Sequence, residues 1–316
     1  MLEAEAVLTS HPRIALLALL FTGCFGPEYL EPEQGGRDYA LQGEYTNESL
    51  GAQVIARGDG RFLAALYEGG LPGAGAKPGP PATAKGRDDG AAVALSGDFD
   101  GTLQGGTLRV RTAAGQSAVL RRVERESPTL GAAPPPGAVV LFDGKGTAAF
   151  AEAGLDPRGF LAAGARTRER FGSFGLHLEF RLPFMPEATG QFRGNSGVYL
   201  QGRYEIQVLD SFGLAGENNE CGAIYEQRAP TLNMSFPPLA WQSYDIDFEA
   251  ARFDASGAKT ADAVVTVRHN GVVIHDRVAL AGPTGGGEPE GPEPGPLLLQ
   301  DHWNPVVYRN LWLVPR

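Results

Sequence analysis

Short stretches in which apolar and polar residues alternate recur in the second half of the chain. They cover residues 174–181, 204–208 and 244–249. Successive side chains of a β-strand point to opposite faces, so a period of two predicts strands with one buried face. The Asn270-Gly271 pair between two valine-rich runs predicts a hairpin with a type I′ turn. Since no stretch shows a convincing helical stripe, we expect an all-β fold with a jelly-roll sandwich.

Glycine and proline, 44 and 24 of the 316 residues, disfavour a mostly helical protein. They are concentrated in residues 69–90, 128–137 and 281–296. We interpret these segments as a long loop, an interdomain linker stiffened by Pro134–Pro136, and a second long loop. The predicted organisation is an export signal over 1–24, a small β-rich domain over 38–126, a linker over 127–137 and the jelly roll over 138–316.

The small N-terminal domain is predicted to contain two hairpins. One joins residues 54–56 to residues 62–67 through Gly58–Gly60. The other spans residues 98–111, with turns expected at Asp100-Gly101 and at Gly105-Gly106. The charged residues of this domain are scattered over turns and solvent faces. We therefore expect a packing or adaptor domain without chemistry of its own.

Residues 14–21 form an apolar run of the length that a signal peptide needs, too short to cross a bilayer. The run ends in FTGC, which resembles a lipobox with Cys24 as the lipidated residue. The prediction is an exported protein, in the periplasm or anchored to the outer membrane through that lipid. An ordinary cleaved signal and a buried apolar strand are the alternatives. Cys221 would then be left without a disulfide partner, as a buried small apolar residue.

The formal net charge of −10 argues against nucleic acid as a partner, because binding a phosphate backbone needs a basic face. It argues equally against direct contact with anionic membranes. No HExxH, CxxC or phosphate-binding loop is present. No cofactor is evident. Glu205, Asp210 or His302 would suit a divalent metal, but no spacing specifies one.

The densest polar region runs from Arg193 to Asp210. Glu205 and Gln207 share one face of a predicted strand, and Arg193 and Asn195 precede the neighbouring strand. A carboxylate beside an amide suits a sugar, whose hydroxyl groups need both acceptors and donors. An ordinary solvent face is the alternative.

A second polar cluster precedes the last predicted strand. It consists of Gln300, Asp301, His302 and Asn304, with Trp303 between them. His302 is a candidate base or ligand, and a capping role in a loop is the alternative. A direct Asp301–His302 dyad is not expected, because adjacent strand residues point to opposite faces. Trp303 is either a stacking platform for a sugar ring or a core aromatic residue.

Taken in order, several blocks of the chain resemble the 3-keto-disaccharide hydrolase domain family. They are LFDGK at 141–145, GNSGVYLQGRYEIQVLDSFG at 194–213, CGAIYEQRAP at 221–230, WQSYDIDFEAARFD at 241–254, VVTVRHNGVVIHD at 264–276 and GPLLLQDHWNPVVYRNLWL at 295–313. The resemblance implies a concanavalin A-like jelly roll in exported bacterial proteins, with a carbohydrate as substrate. Trp303 departs from the small residue expected after the Asp-His pair.

The resemblance also implies a reaction. A ketone at C3 of a sugar acidifies the C2 proton; a base removes that proton, and the C1 substituent leaves by elimination. The expected base is Glu205 or His302. The expected substrate-binding residues are Arg193, Asn195, Gln207, Asp210, Gln300, Asp301 and Trp303. The alternatives are a lectin-like carbohydrate-binding protein and a structural surface lipoprotein.

Overall fold

The computed structural model describes residues 26–316. Cys24 and the predicted signal segment lie outside these residues, so export and lipidation stay predictions. Within residues 26–316, no helix is long and apolar enough to span a membrane. The described chain begins with a short 3-10 turn at Pro32–Gly35 and an α-helical segment, α1, at Gly36–Leu41, and a second 3-10 turn lies at Gly190–Phe192.

Eight antiparallel strands follow and close into a barrel, because β1 pairs with both β2 and β8. The barrel strands are β1 Gly43–Thr46, β2 Leu50–Ala56, β3 Arg61–Glu68, β4 Ala82–Asp88, β5 Val93–Gly97, β6 Phe99–Gln104, β7 Thr107–Thr112 and β8 Ser117–Val123. Apolar side chains such as Val54, Leu103 and Leu120 fill the interior, so the barrel has a packed core. Closure leaves no free sheet edge.

Two predictions for this half of the chain were wrong. Residues 69–90 are not one loop, since β4 lies within them. Asp100-Gly101 is not a turn, since both residues lie inside β6. The turns at Gly58–Gly60 and at Gly105-Gly106 are confirmed.

Residues 139–315 form a jelly-roll sandwich, as predicted. Its strands are β9 Val139–Phe142, β10 Phe150–Glu152, β11 Leu161–Ala162, β12 Ala165–Thr167, β13 Phe174–Arg181, β14 Ser196–Leu200, β15 Tyr204–Val208, β16 Trp241–Glu249, β17 Arg252–Phe253, β18 Lys259–Ala261, β19 Ala263–His269, β20 Val272–Leu280, β21 Leu298–Leu299 and β22 Val307–Pro315. One sheet has five strands in the order β10-β12-β21-β14-β15. The other runs β11-β22-β13-β16-β19-β20, with β9 beside β22, and β17 and β18 pair separately.

The core of the sandwich lies between the two sheets. The alternating apolar residues of β13, β15 and β16 all belong to it, as the period of two predicts. The hairpin at Asn270-Gly271 is confirmed, with φ values of 49° and 79° at its two turn residues. Cys221 is also buried in this core, as predicted.

The linker between the domains is held against the seven-stranded sheet. The Gly131 amide donates to Glu179 Oε1 over 2.6 Å, and the Ala132 carbonyl accepts from Asn310 and Trp312. The two domains also pack against each other, since Phe184 and Leu239 of the sandwich domain lie in the apolar core of the barrel.

Candidate active site

The candidate site lies on the face of the five-stranded sheet that points away from the core. Val198 and Ile206 pair across β14 and β15 and pack inside the sandwich. The alternate positions Gly197, Tyr199 and Glu205 therefore lie on the opposite face, together with Gln207. Tyr199 is directly opposite Glu205, and Gly197 is directly opposite Gln207.

Glu205 occupies the space that a side chain at position 197 would fill. A Cβ atom built on Gly197 would lie 2.1 Å from Glu205 Oε1. The carboxyl group can lie over the neighbouring strand only because residue 197 is glycine. Glu205 Oε2 is 2.8 Å from the Tyr199 hydroxyl, whereas Oε1 has no hydrogen-bond partner among the described residues.

Burial raises the pKa of Glu205 to about 7. When Glu205 is ionised, a hydrogen bond from the Tyr199 hydroxyl acts in the opposite direction, and the nearby negative charge of Glu226 adds to the increase. Only 2% of Glu205 is exposed, so its charged form is poorly solvated. A carboxyl group with a pKa near neutrality is suited to proton transfer at physiological pH.

One segment borders this face of the sheet and a second segment covers it. Residues 222–225 run along the outer edge of β15, where the Tyr225 amide donates to Glu205 O and the Gln207 amide donates to Ala223 O. Residues 281–296, called the strap below, are the second predicted long loop. The strap reaches the site at Thr284, whose hydroxyl accepts the Glu205 amide over 2.8 Å, and at Gly285. An ion pair of 2.6 Å between Arg166 and Glu288 holds the strap to β12.

Gln207 belongs to a cluster of amide groups. Its Nε2 donates to Gln191 Oε1 over 3.1 Å, and Asn195 Nδ2 donates to the same oxygen and to the Gln191 carbonyl. Asn195 Oδ1 is buried and has no partner among the described residues. The structure therefore brings together Glu205 and Gln207 of β15 and Asn195, the residue just before β14.

Arg193 and Asp210 bond to each other. The Arg193 Nε donates to Asp210 Oδ2 over 2.6 Å, and 3% of each residue is exposed. Arg193 also reaches toward the barrel, with Nη1 3.5 Å from the Ala56 carbonyl. This geometry places the pair at the junction with the barrel, where it joins the ends of β14 and β15.

Residues 300–304 form a loop beside the site that is fixed at both ends. The Gln300 amide donates to the Gly197 carbonyl over 2.8 Å, and Asn304 Oδ1 accepts the Asn195 amide over 2.8 Å. Gln300 Nε2 lies 3.4 Å from the Tyr199 hydroxyl.

His302 and Trp303 project from the middle of this loop. Asp301 Oδ1 accepts the Trp303 amide, and Trp303 is 84% exposed with a φ of 60°. His302 is half-buried, and its ring centroid lies 5.4 Å from that of Trp303. No hydrogen bond among the described residues links His302 to Asp301 or to Glu205.

Four contributors to this site were not identified from the sequence. They are Gln191, Tyr199, Thr284 and Gly285. The spacing of Tyr199 from Gly197 was the available signal, since it places both residues on one strand face. Among residues 26–316, no three His, Cys, Asp or Glu side chains cluster as metal ligands would.

The protein is thus a jelly-roll sandwich with a buried carboxyl group, Glu205, and neighbouring polar side chains on the outer face of its five-stranded sheet. The chain belongs to the 3-keto-alpha-glucoside-1,2-lyase-like domain family, whose model matches residues 137–314. The family predicted from the motifs is thereby confirmed.

The chain is also similar to solved structures from Parabacteroides distasonis ATCC 8503, each described as a "putative glycosyl hydrolase". One is 34% identical, with a TM-score of 0.52, over 58% of this chain and 85% of that chain. Another is 20% identical, with a TM-score of 0.41, over 57% of this chain and 99% of that one. No curated protein matches the chain.

Proposed function

We propose that this protein cleaves the glycosidic bond of 3-keto-glycosides by removing the C2 proton and eliminating the C1 substituent. The observation that carries the proposal is Glu205. It is a buried carboxyl group with a pKa of about 7, and one of its oxygens has no protein partner. Membership of the family and similarity to a structure described as a "putative glycosyl hydrolase" support a carbohydrate as the substrate.

Glu205 Oε1 acts as the base in this reaction. It takes the proton from C2, and the electron pair of the broken C–H bond forms an enolate whose charge rests on the C3 oxygen. The enolate then collapses, a C1–C2 double bond forms, and the C1–O bond breaks. The departing oxygen takes a proton from a general acid, for which His302 on the neighbouring loop is the candidate. Water adds across the double bond later, so the net reaction is hydrolysis.

Polar groups beside Glu205 bind the sugar and stabilise the enolate. Gln300 Nε2 makes only a long contact of 3.4 Å with Tyr199, which leaves it available as a donor to the C3 oxygen. Gln207 and Asn195 shape the floor of the site. Trp303, exposed on the loop that begins at Gln300, offers an apolar ring face to the aglycone.

The test compares two substrates that differ only at C3. Purified protein is incubated with 4-nitrophenyl 3-keto-glucoside and with unoxidised 4-nitrophenyl glucoside, in both anomeric forms, and release of nitrophenol is followed. We expect release from the keto sugar alone. Glu205→Gln should lower kcat at least tenfold, equivalent to about 1.4 kcal/mol of transition-state stabilisation. His302→Ala should show a loss of that size with methyl 3-keto-glucoside, because the methoxy leaving group needs a general acid and nitrophenolate does not. Glu249→Gln, a half-exposed surface residue, is the matched control and should retain activity.

A lectin-like function is the second candidate, and the exposed ring of Trp303 favours it. Glycan binding that survives both Glu205→Gln and His302→Ala, with no turnover by the wild type, would support this function. The absence of nitrophenol release from every keto sugar tested would overturn the proposed enzyme.

A further inference from the structure

Three oxygen atoms lie in a row between β15 and the strap. The Tyr199 hydroxyl is in the middle, 2.8 Å from Glu205 Oε2 and 2.7 Å from the carbonyl oxygen of Gly285. Both distances are those of O–H···O hydrogen bonds. The contact with Gly285 depends on the docked strap, which Thr284 fixes to the Glu205 amide.

Two hydrogen bonds need two protons, and tyrosine supplies one. A carbonyl oxygen only accepts, and so does an ionised carboxylate. If Glu205 were ionised, one of the two contacts would place oxygen lone pairs against each other at less than 3 Å. Both contacts are satisfied when the Tyr199 proton points to Gly285 and Glu205 donates its own proton to the Tyr199 oxygen. Gln300 Nε2 adds a donor to that oxygen from the side and supplies no proton to either contact.

We propose that Tyr199 is a positioning residue that holds Glu205 in its neutral form while the strap is docked. The Tyr199 hydroxyl donates its hydrogen bond to the Gly285 carbonyl, so its oxygen is left to accept a hydrogen bond from Glu205. The titratable groups that face Glu205 are Tyr199 from β14, Tyr225 and Glu226 from the chain that runs along β15, and Tyr308 from β22 through the core. Glu226, the charged one, also favours the neutral form.

This inference adds a step before the proposed reaction. Glu205 becomes a base only when it loses its proton, and the Tyr199 proton then turns toward the carboxylate. After this reorientation of the hydroxyl hydrogen, the Gly285 carbonyl oxygen faces the phenol oxygen with no hydrogen between them. The repulsion between the two oxygens disfavours the docked position of the strap. Ionisation of Glu205 and release of the strap at Gly285 are therefore coupled.

The experiment needs no substrate, so its result is independent of the proposed enzymatic function. The free energy of unfolding is measured by urea denaturation from pH 4 to 9 for the wild type and Glu205→Gln, in the Tyr199 and Tyr199→Phe backgrounds. A folded-state pKa above the unfolded value makes the wild type lose stability relative to Glu205→Gln as pH rises, until the folded-state pKa is passed. With Tyr199 present, this loss should end near pH 7, the pKa of Glu205.

The two possible directions of the Tyr199 hydrogen bond give opposite results. If Tyr199 accepts a hydrogen bond from Glu205, Tyr199→Phe removes a partner of the neutral carboxyl group. The loss of stability with rising pH should then end about one pH unit lower. If Tyr199 donates to the carboxylate, Tyr199→Phe removes a partner of the charged form, and the loss should extend above pH 7. An end point that is unchanged or higher would overturn the proposal.

A second variant covers the case in which Tyr199→Phe does not fold. Gly287→Ala displaces the strap from the start of β15, because an added Cβ atom would lie 2.1 Å from the Arg203 carbonyl oxygen. Without the Gly285 carbonyl, Tyr199 is free to donate to the carboxylate. The pKa of Glu205 should then fall, and an unchanged value would contradict the proposal. Tyr225→Phe is the matched control: this phenol lies near Glu205 without a hydrogen bond to it, and its loss should leave the end point in place.

Discussion

Gly197 determines where the carboxyl group of Glu205 can lie. Its φ is not in the left-handed region, so the backbone would accept any residue. The requirement for glycine comes from space alone, because Glu205 Oε1 would be 2.1 Å from a Cβ atom at this position. Real Cβ contacts are never this short, so a side chain here must displace the carboxyl group.

We predict that Gly197→Ala lowers kcat at least tenfold, since misplacing a catalytic group by about 1 Å has an effect of that order or larger. Steady-state kinetics on the keto sugar measures the loss. Gly154→Ala is the matched control, because an added Cβ there meets no atom within 4 Å. Full activity of Gly197→Ala would mean that the position of Glu205 does not matter for the reaction.

The sequence pattern predicted part of the site at this scale. Alternation in β15 assigned Glu205 and Gln207 to one face because Ile206 and its neighbours needed the core. Alternation does not reveal which distant segment covers that face. Tyr199 gains its role from Gly285, 86 residues away. Arg193 and Asp210 are bonded to each other at a domain junction that no local pattern describes.

The linker and β13 form a buried polar network on the outer face of the seven-stranded sheet. Glu179 accepts from the Gly131 amide over 2.6 Å, from Arg309 Nε over 2.6 Å and from Asn310 over 2.9 Å. His177 lies between Asp245, at 2.7 Å, and Glu179, at 3.6 Å. Although burial opposes it, these partners lower the pKa of Glu179 to about 2. The network attaches the linker to the sandwich.

We predict that Glu179→Ala lowers the free energy of unfolding by about 2–4 kcal/mol, because it leaves buried donors without an acceptor. Urea denaturation measures this change, and limited proteolysis should show faster cleavage within residues 127–137. Glu249→Ala removes a half-exposed ion pair with Arg277 and should cost less than about 1 kcal/mol. Equal stability of the two variants would mean that the network does not hold the linker.

Local signals predicted elements where turn chemistry and alternation agreed. The hairpin at Asn270-Gly271 and the strands β13, β15 and β16 are examples. Strand β4 was missed because its surroundings are rich in glycine and proline. One of those glycines, Gly86, is needed inside the strand, since a Cβ atom there would lie 2.2 Å from the Ala94 carbonyl. Closure of the barrel, a non-local requirement, makes this segment a strand.

At the scale of the whole molecule, the barrel and the sandwich pack as one body. Phe184 follows β13 in the chain but packs in the barrel core, against Tyr39 with ring centroids 5.4 Å apart. Arg125, after the last barrel strand, bonds Glu44 and lies over the ring of Phe236 at 5.0 Å. Composition predicted two β domains and a linker, but not this packing, because the shared residues carry no local signal. The barrel thus supports the end of the sheet where Arg193 and Asp210 join β14 to β15.

The central claim for the molecule is that Glu205 removes the C2 proton of a 3-keto sugar. The most direct measurement follows C2 by nuclear magnetic resonance during turnover in D₂O, and compares the rates for substrates with hydrogen and with deuterium at C2. We predict deuterium at C2 of the released sugar and a primary isotope effect, both lost in Glu205→Gln. Reactions without protein correct for spontaneous exchange. Release of the C1 substituent with neither exchange nor an isotope effect at C2 would contradict the claim.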